Sequence, residues 1–383
     1  MFNLSVYTIY PQMMVMMMCK IIEINNFDQF LELEDCWNKV LKISVDNNPY
    51  LTWEFLLAYW RYFGKGKKLR ILCAEEKGEI VGIAPLRQAR YNFVGPLGYT
   101  VIEPMGSRGL MPEGGDYTGV LIRENKVEYL KMFLNYLVEE DGWDFIYLLD
   151  VPETSIIYKT ATKKPKLIPL RFEIETGSPC YYLPLTISKD IFMNELSSKF
   201  RKNLGRCMRN LQKDYGRVEI KSYTDFDSVE EAMITHFDLN HKRWTSKNMH
   251  GTFSTQRIRD FYVDMAEAFA DKGWLALFFL TVDDKPVAGL YCFEYNQKML
   301  EVVSGFDPDY EKYSVGNLLH SLVIKKCIDK KLVEYDFLKG NELYKSSWTA
   351  KYRRNFRITL VNKRFTSSFY HLGINTAKKL KIK

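Results

Sequence analysis

Phe279-Leu280-Thr281-Val282-Asp283-Asp284-Lys285-Pro286-Val287-Ala288-Gly289-Leu290 reads as a β-hairpin: two apolar runs meet at a short acidic turn. Its strands extend outward from Trp274 to Thr281 and from Pro286 to Tyr295. An earlier stretch follows the same plan: Leu72-Cys73-Ala74-Glu75-Glu76-Lys77-Gly78-Glu79-Ile80-Val81-Gly82-Ile83-Ala84. Both place a glycine early in the second strand, and both are followed by strand, helix and strand patterns. In the first half these are Thr118 to Ile122, Glu124 to Glu139 and Phe145 to Leu149. In the second they are Met299 to Ser304, Val315 to Lys330 and Val333 to Leu338. The repeated order points to an α/β fold with mixed sheets, built from two tandem units.

Working outward, the second unit opens with a helix from Leu196 to Lys213. Its apolar face is Leu196, Phe200, Leu204, Cys207 or Met208, and Leu211, and a basic stripe runs through Lys202, Arg206, Arg209 and Lys213. Helices over Ser228 to Trp244 and Thr255 to Lys272 precede the hairpin. Residues 21–63 read as helical in the first unit, with Pro49 opening a second helix. Between the units, residues 152–180 contain four prolines and the cluster Lys159, Lys163, Lys164 and Lys166. This reads as a crossing whose lysines form a solvated face. The expected division is a start segment over 1–19, units over 20–180 and 181–365, and a basic tail over 366–383.

The 383 residues suit two domains. Lys and Arg number 54 against 47 Asp and Glu, a net charge of +7. That balance favours anionic ligands but falls short of a dedicated nucleic-acid-binding domain, so no DNA partner is expected. The seven cysteines have no CxxC spacing and the five histidines no ligand spacing, so neither a disulfide framework nor a metal is expected. No basic region precedes Lys20 in the methionine-rich start, Pro11 interrupts it, and it is too short to span a bilayer. A cytoplasmic protein without stable membrane insertion is the expectation.

The Lys285 to Gly289 hairpin is followed by Ser304-Gly305-Phe306-Asp307-Pro308-Asp309-Tyr310 and Tyr313-Ser314-Val315-Gly316-Asn317-Leu318-Leu319. Then comes Tyr335-Asp336-Phe337-Leu338-Lys339-Gly340-Asn341-Glu342-Leu343-Tyr344-Lys345-Ser346-Ser347-Trp348. This succession resembles the GNAT acyltransferases of the CelD/BcsL-like branch, with a BioF2-like acetyltransferase domain. That branch is related to the FemABX aminoacyl transferases, which also carry two GNAT-like domains. Gly115-Asp116-Tyr117 and Trp143-Asp144-Phe145-Ile146 extend the likeness into the first half, so that it covers roughly residues 50–365.

The resemblance implies tandem GNAT-like domains, the first degenerate, and acyl-CoA as co-substrate. It places the donor's diphosphate at the helix start formed by Tyr313, Ser314, Val315, Gly316 and Asn317. Free N–H groups and the helix dipole favour an anion there. The family's turn is richer in Gly and Arg; this chain keeps Gly316, and Ser314 also reads as an N-cap. The likeness further implies Glu301 as general base and Tyr344 as the acid for a leaving thiolate. Asp336, inside an apolar run, needs a partner, such as Lys345 or an arginine from elsewhere; Lys345 also suits an oxyanion or phosphate.

Arg201 and Arg206 on the basic helix, with His241 and Trp244 at the end of the next, are candidates for holding an acceptor, a small molecule or glycan of anionic character. Three functions stay open. The first is acyl transfer to an amine or hydroxyl, as in envelope or exopolysaccharide synthesis. The second is aminoacyl transfer from charged tRNA. The third is non-catalytic binding of a glycan or protein.

Overall fold

The computed structural model describes residues 19–94, 97–107, 114–185 and 188–363. The expected start segment, up to Met18, and the basic tail over 366–383 lie outside the described residues.

The first half runs β1 (Cys19–Ile24), α1 (Phe27–Leu31), α2 (Glu34–Ile43), α3 (Trp53–Phe63), β2 (Lys68–Glu76), β3 (Glu79–Val94), β4 (Leu97–Pro104), α4 (Val127–Glu139), β5 (Phe145–Pro152) and α5 (Ile156–Lys163). Then come β6 (Arg171–Pro184), α6 (Lys189–Glu195), α7 (Ser198–Tyr215), β7 (Val218–Ser222), α8 (Val229–Thr245) and α9 (Gln256–Asp271). The second half ends with β8 (Leu275–Val282), β9 (Lys285–Tyr295), β10 (Lys298–Phe306), α10 (Val315–Asp329), β11 (Glu334–Lys339), α11 (Leu343–Trp348) and β12 (Tyr352–Val361).

The local chemistry accounts for these bounds. Lys77 and Gly78 turn β2 into β3, and Asp283 and Asp284 turn β8 into β9, each with positive φ. Two such residues in succession match the right-handed twist of the strands they join. Ser197, Ser228 and Thr255 cap α7, α8 and α9 by accepting from Phe200, Glu231 and Ile258 N–H. α7 starts at Ser198, not at the expected Leu196, which closes α6; from there the predicted face holds, with Leu204, Cys207 and Leu211 buried, Phe200 half-buried, and Lys202, Arg206, Arg209 and Lys213 exposed.

The strands form one sheet in the order β1-β2-β3-β4-β5-β12-β6-β11-β10-β9-β8-β7. The order is symmetric about its middle. β6, which follows the first half, pairs antiparallel with β11 of the second, and β12, which ends the second, pairs with β5 of the first. The two halves therefore exchange their closing strands. Residue 180 falls inside β6, and the crossing holds a helix and a long strand; Lys163, Lys164 and Lys166 are exposed within it.

Phe55, Tyr59 and Phe63 of α3 join Phe261 and Phe269 of α9 in one aromatic core; Phe63 and Phe261 have ring centroids 5.1 Å apart. Separate clusters cover the other face, under α4 and α5 in the first half and under α7 and α10 in the second. Each fully buried Phe supplies about 1.5–3 kcal/mol of transfer free energy. All seven cysteines are free, and all but Cys36 are fully buried. Among the described residues no helix is long and apolar enough to cross a membrane.

One expected strand is absent as such. Thr118 to Ile122 touches the sheet through an isolated bridge, Leu121 to Ile83. Two of its other backbone donors are met elsewhere: Val120 N–H by Asp46 Oδ2 at 3.4 Å and Thr118 N–H by Asp150 O at 3.0 Å. The helix expected from Glu124 starts at Val127.

Candidate active site

β10 and β11 run parallel only through Lys298, Met299 and Leu300, opposite Glu334, Tyr335 and Asp336. Beyond that the strands part, and the first residue past the last pair is Glu301, beside a bulge in the β9–β10 register. Parting strands leave backbone and side chains facing a gap instead of a neighbour. α10 and α11 close one side of the gap, with His320 stacked on Tyr344, and α8 closes the other.

Glu301 is 4% exposed. Its Oε1 accepts from the Tyr344 hydroxyl at 2.9 Å and lies 3.5 Å from His320 Nε2. Its Oε2 is buried and accepts from none of the described residues. Burial pushes the carboxyl up to about 7, against the opposing pull of Lys345, the Tyr344 hydroxyl and Arg243. Burial drives His320 down to about 3, so its ring is neutral at ordinary pH. Its Nδ1 meets the Tyr335 hydroxyl at 3.1 Å, and its ring stacks on Tyr344 with centroids 5.3 Å apart. Burial also holds the Tyr344 phenol well above its usual range, which keeps it protonated. The result is a carboxyl clamped at one oxygen, with the other free to take a proton.

Two clefts meet here. The first, about 190 Å³, is lined by Gly305, Phe306, Ser314, Val315, Gly316 and Asn317, among others. The second, about 450 Å³, includes Glu301, Trp244, Lys345, Lys339 and, from the first half, Asp116. Arg243, Ser304 and Tyr344 line both.

Ser314 precedes α10 in the left-handed conformation, φ 51°, and makes no side-chain cap bond. It stands at the N-cap position without acting as the expected side-chain cap, because that backbone differs from the extended conformation a capping serine adopts. Tyr313 is buried and its hydroxyl donates to Asp214 on α7 at 2.5 Å. A Cβ on Gly316 would find its nearest neighbour, Phe306, at 3.9 Å, so this face of the helix start is open.

The structure brings Glu301, Tyr344 and Lys345 together, and places Asp336 elsewhere. Asp336 is 1% exposed; it accepts from Tyr117 Oη at 2.7 Å and Leu338 N–H at 2.8 Å, with Arg353 3.8 Å away. The arginine alternative holds, and pairing with Lys345 does not. Leu338, with φ 55°, turns the chain, and Lys345 folds back to the carbonyls of Leu338 and Lys339 at 3.4 and 2.9 Å and to Glu342 at 3.0 Å.

Of the acceptor candidates, Trp244 lines the second cleft. His241 lines a separate acidic cleft with Asp238, Asp260 and Asp264. Arg201 bonds Met193 O and Asn194 Oδ1, and Arg206 bonds Asn203 Oδ1; neither lines the two clefts. Their stripe faces solvent because the opposite face of α7 is the one the sheet buries. Sequence reasoning missed His320, whose lone position on an apolar helix carries no signal. It also passed over Arg243, inside the basic run that ends α8.

Gly305 sets the spacing between α8 and β10. A Cβ there would lie 2.5 Å from Asn240 N and 2.7 Å from Leu239 C, both backbone atoms. Gly305→Ala is expected to push α8 off the strand at a cost of about 1–3 kcal/mol, read as a lower thermal midpoint. Activity should fall with it, because Arg243 and Trp244 ride on α8.

In the first half β4 and β5 likewise pair in parallel over only Val101 and Ile102. The next residue, Glu103, is also buried, but Arg87 pairs with it at 3.0 Å and the Tyr91 hydroxyl donates to it at 2.8 Å. The corresponding fork is thus closed by an ion pair.

Residues 198–346 match the family model described as an acetyltransferase (GNAT) domain, a span that includes α8, β10, α10 and the Glu301 site. The chain is therefore a mixed α/β protein of tandem GNAT-like halves whose second half is a GNAT-type acyltransferase domain. Among solved structures it is similar to FemX, at 11% identity over 92% of this chain and 99% of that one, TM-score 0.63. It is similar to a conserved protein of unknown function from Bacteroides thetaiotaomicron VPI-5482, at 14% identity over 90% and 100%, TM-score 0.55. The C-terminal domain of a putative lysylphosphatidylglycerol synthetase from Agrobacterium fabrum follows at 10% identity over 89% and 95%, TM-score 0.52. These likenesses concern the fold. No curated protein matches the chain in sequence.

Proposed function

We propose that this protein moves an acyl group, acetyl in the simplest case, from acyl-CoA to an amine or hydroxyl by direct attack, with Glu301 as general base. The supporting observation is the Glu301 carboxyl, buried in the wall of the second cleft and bonded to Tyr344, which lines both clefts, lifted to about 7, with Oε2 unpartnered among the described residues. A base poised near the working pH is what proton transfer needs. The attacking nitrogen or oxygen gives its proton to Oε2. The Tyr344 hydroxyl, 2.9 Å from Oε1, gives its own to the departing thiolate and is refilled from Glu301 once the carboxyl turns its protonated oxygen toward the phenolate. The proton leaving the acceptor thus ends on the thiol.

The donor's diphosphate is assigned to the helix start Tyr313 to Asn317. The open space at Gly316 and the left-handed Ser314 support that fit. The first half, its own fork closed by Arg87, serves as scaffold and supplies Asp116 to the acceptor wall. Membership of the CelD/BcsL-like branch, and an acceptor from envelope or exopolysaccharide synthesis, belong to the same reading.

Calorimetric titration with acetyl-CoA and longer acyl-CoAs tests it. Saturable binding is expected, lost in Gly316→Glu, whose side chain has room but brings a negative charge to the donor's place. No binding of any CoA ester would sink the donor assignment.

A second reading, aminoacyl transfer from charged tRNA, draws on the whole-chain fold likeness to FemX and on the net charge of +7. It requires tRNA binding that weakens steeply with salt, because phosphate contacts release counterions. A purely binding role is less well supported: it offers no reason to keep a buried carboxyl at a cost in stability.

A further inference from the structure

Three Lys or Arg side chains line the second cleft among the described residues: Arg243, Lys339 and Lys345. Two are already neutralised by the protein. Lys339 lies 2.5 Å from Asp150, and Lys345 lies 3.0 Å from Glu342 while also donating to two backbone carbonyls. Arg243 differs. No carboxylate of the described residues lies within 4.0 Å of its guanidinium. Its Nη1 donates to Ser304 Oγ at 2.7 Å and Ser304 O at 3.3 Å, which holds one corner in place. The aromatic rings of Trp244 and Phe306 lie 5.5 and 5.3 Å away, well suited to a guanidinium. Its Nε is buried and donates to none of the described residues.

Nε and Nη2 together form the edge whose two parallel N–H groups match a carboxylate or a phosphate. A guanidinium held at the opposite corner and unpaired along this edge is a cation awaiting a counterion, since a half-buried unpaired charge costs free energy until one arrives. Arg243 also acts electrostatically on Glu301 and Tyr344, so it shares their reaction space.

We propose that the Nε/Nη2 edge of Arg243 receives an anionic group of the acyl acceptor, a carboxylate or a phosphate carried close to the reacting nitrogen or oxygen. This rests on the acyltransferase reading and narrows its acceptor to molecules that bear both groups. It also moves acceptor recognition from the exposed stripe of α7 to the end of α8.

The test is the Nε–H resonance of Arg243 in the full chain, assigned by its loss in Arg243→Lys or Arg243→Gln. Sodium acetate, inorganic phosphate and neutral acetamide are titrated separately, with and without CoA. A saturable shift with acetate or phosphate and none with acetamide is expected, the tighter anion naming the source. The response should persist when CoA is bound. Arg243→Lys, which keeps the charge but loses the fork, should bind the preferred anion roughly tenfold more weakly. No response to either anion overturns the proposal. So does a response that bound CoA abolishes, which would place the arginine on the donor. An anion response in a protein that binds no CoA supports the subsite and counts against the donor assignment alone.

Discussion

Glu301→Gln is expected to lower turnover about 10²–10⁴-fold while acyl-CoA binding is retained, measured as thiol release alongside calorimetry. The substitution keeps the shape of the side chain and its contact with Tyr344 but removes the basic oxygen. Wild-type kcat/KM should rise with pH through about 7, as the carboxyl loses its proton, and the variant should lack that limb. A variant as active as wild type, or one whose rate keeps the same pH limb, would show that another group takes the proton.

The same residue makes an opposite prediction for stability. A carboxyl whose folded pKa is raised above its ordinary value of 4.5 binds a proton more tightly folded than unfolded. Its effect on stability is therefore nil well below 4.5 and becomes increasingly unfavourable as pH rises through about 7, reaching on the order of 3 kcal/mol. Glu301→Gln should accordingly unfold at a higher urea concentration than wild type at pH 8, with the gap closing near pH 4. A residue that lowers stability while supporting turnover is the pattern expected of a functional group, and a structural role alone would not produce it.

How much of this was legible beforehand differs by element. Hairpins, helices and their caps were written locally, in the two-residue turns at Lys77-Gly78 and Asp283-Asp284 and in Ser197, Ser228 and Thr255. Glu301 and Tyr344, 43 residues apart, meet at 2.9 Å, and their signal in the sequence is their place in a recognisable succession of motifs. The rest depended on tertiary partners that no local pattern carries. Thr118 to Ile122 has a strand's composition, yet Asp46 and Asp150 meet two of its backbone donors in place of a neighbouring strand. His320 and Arg243 matter because of what the parting of β10 and β11 exposes. Of the two partners open to Asp336, the arginine is the one that meets it, from β12, and Tyr117 joins it from the first half, so the pairing depends on the tertiary placement of β12 and not on the helix next in sequence.

The exchange of β6 and β12 between the halves makes Asp336→Ala the substitution with the largest expected effect on stability. Asp336 joins the halves: Tyr117 comes from the first half, at a sequence separation of 219, and Arg353 from the exchanged strand β12. Burial raises the carboxyl's pKa, opposed by Arg353, Tyr117 and the Leu338 N–H. Removing it leaves the Tyr117 hydroxyl, on a residue only 5% exposed, and a buried N–H without their acceptor. Each such group costs about 1–3 kcal/mol, so a loss of about 3 kcal/mol is expected, read as a lower urea midpoint. Arg353 keeps Glu334 at 2.6 Å and is not stranded, which limits the damage. Tyr117→Phe, which removes one hydroxyl, should cost about 1 kcal/mol. Because Asp116 beside Tyr117 lines the second cleft, Asp336→Ala should also raise the acceptor KM before it affects donor binding. A variant that melts with wild type would mean that the exchanged strands alone hold the halves together, and that this buried carboxylate adds nothing to the seam.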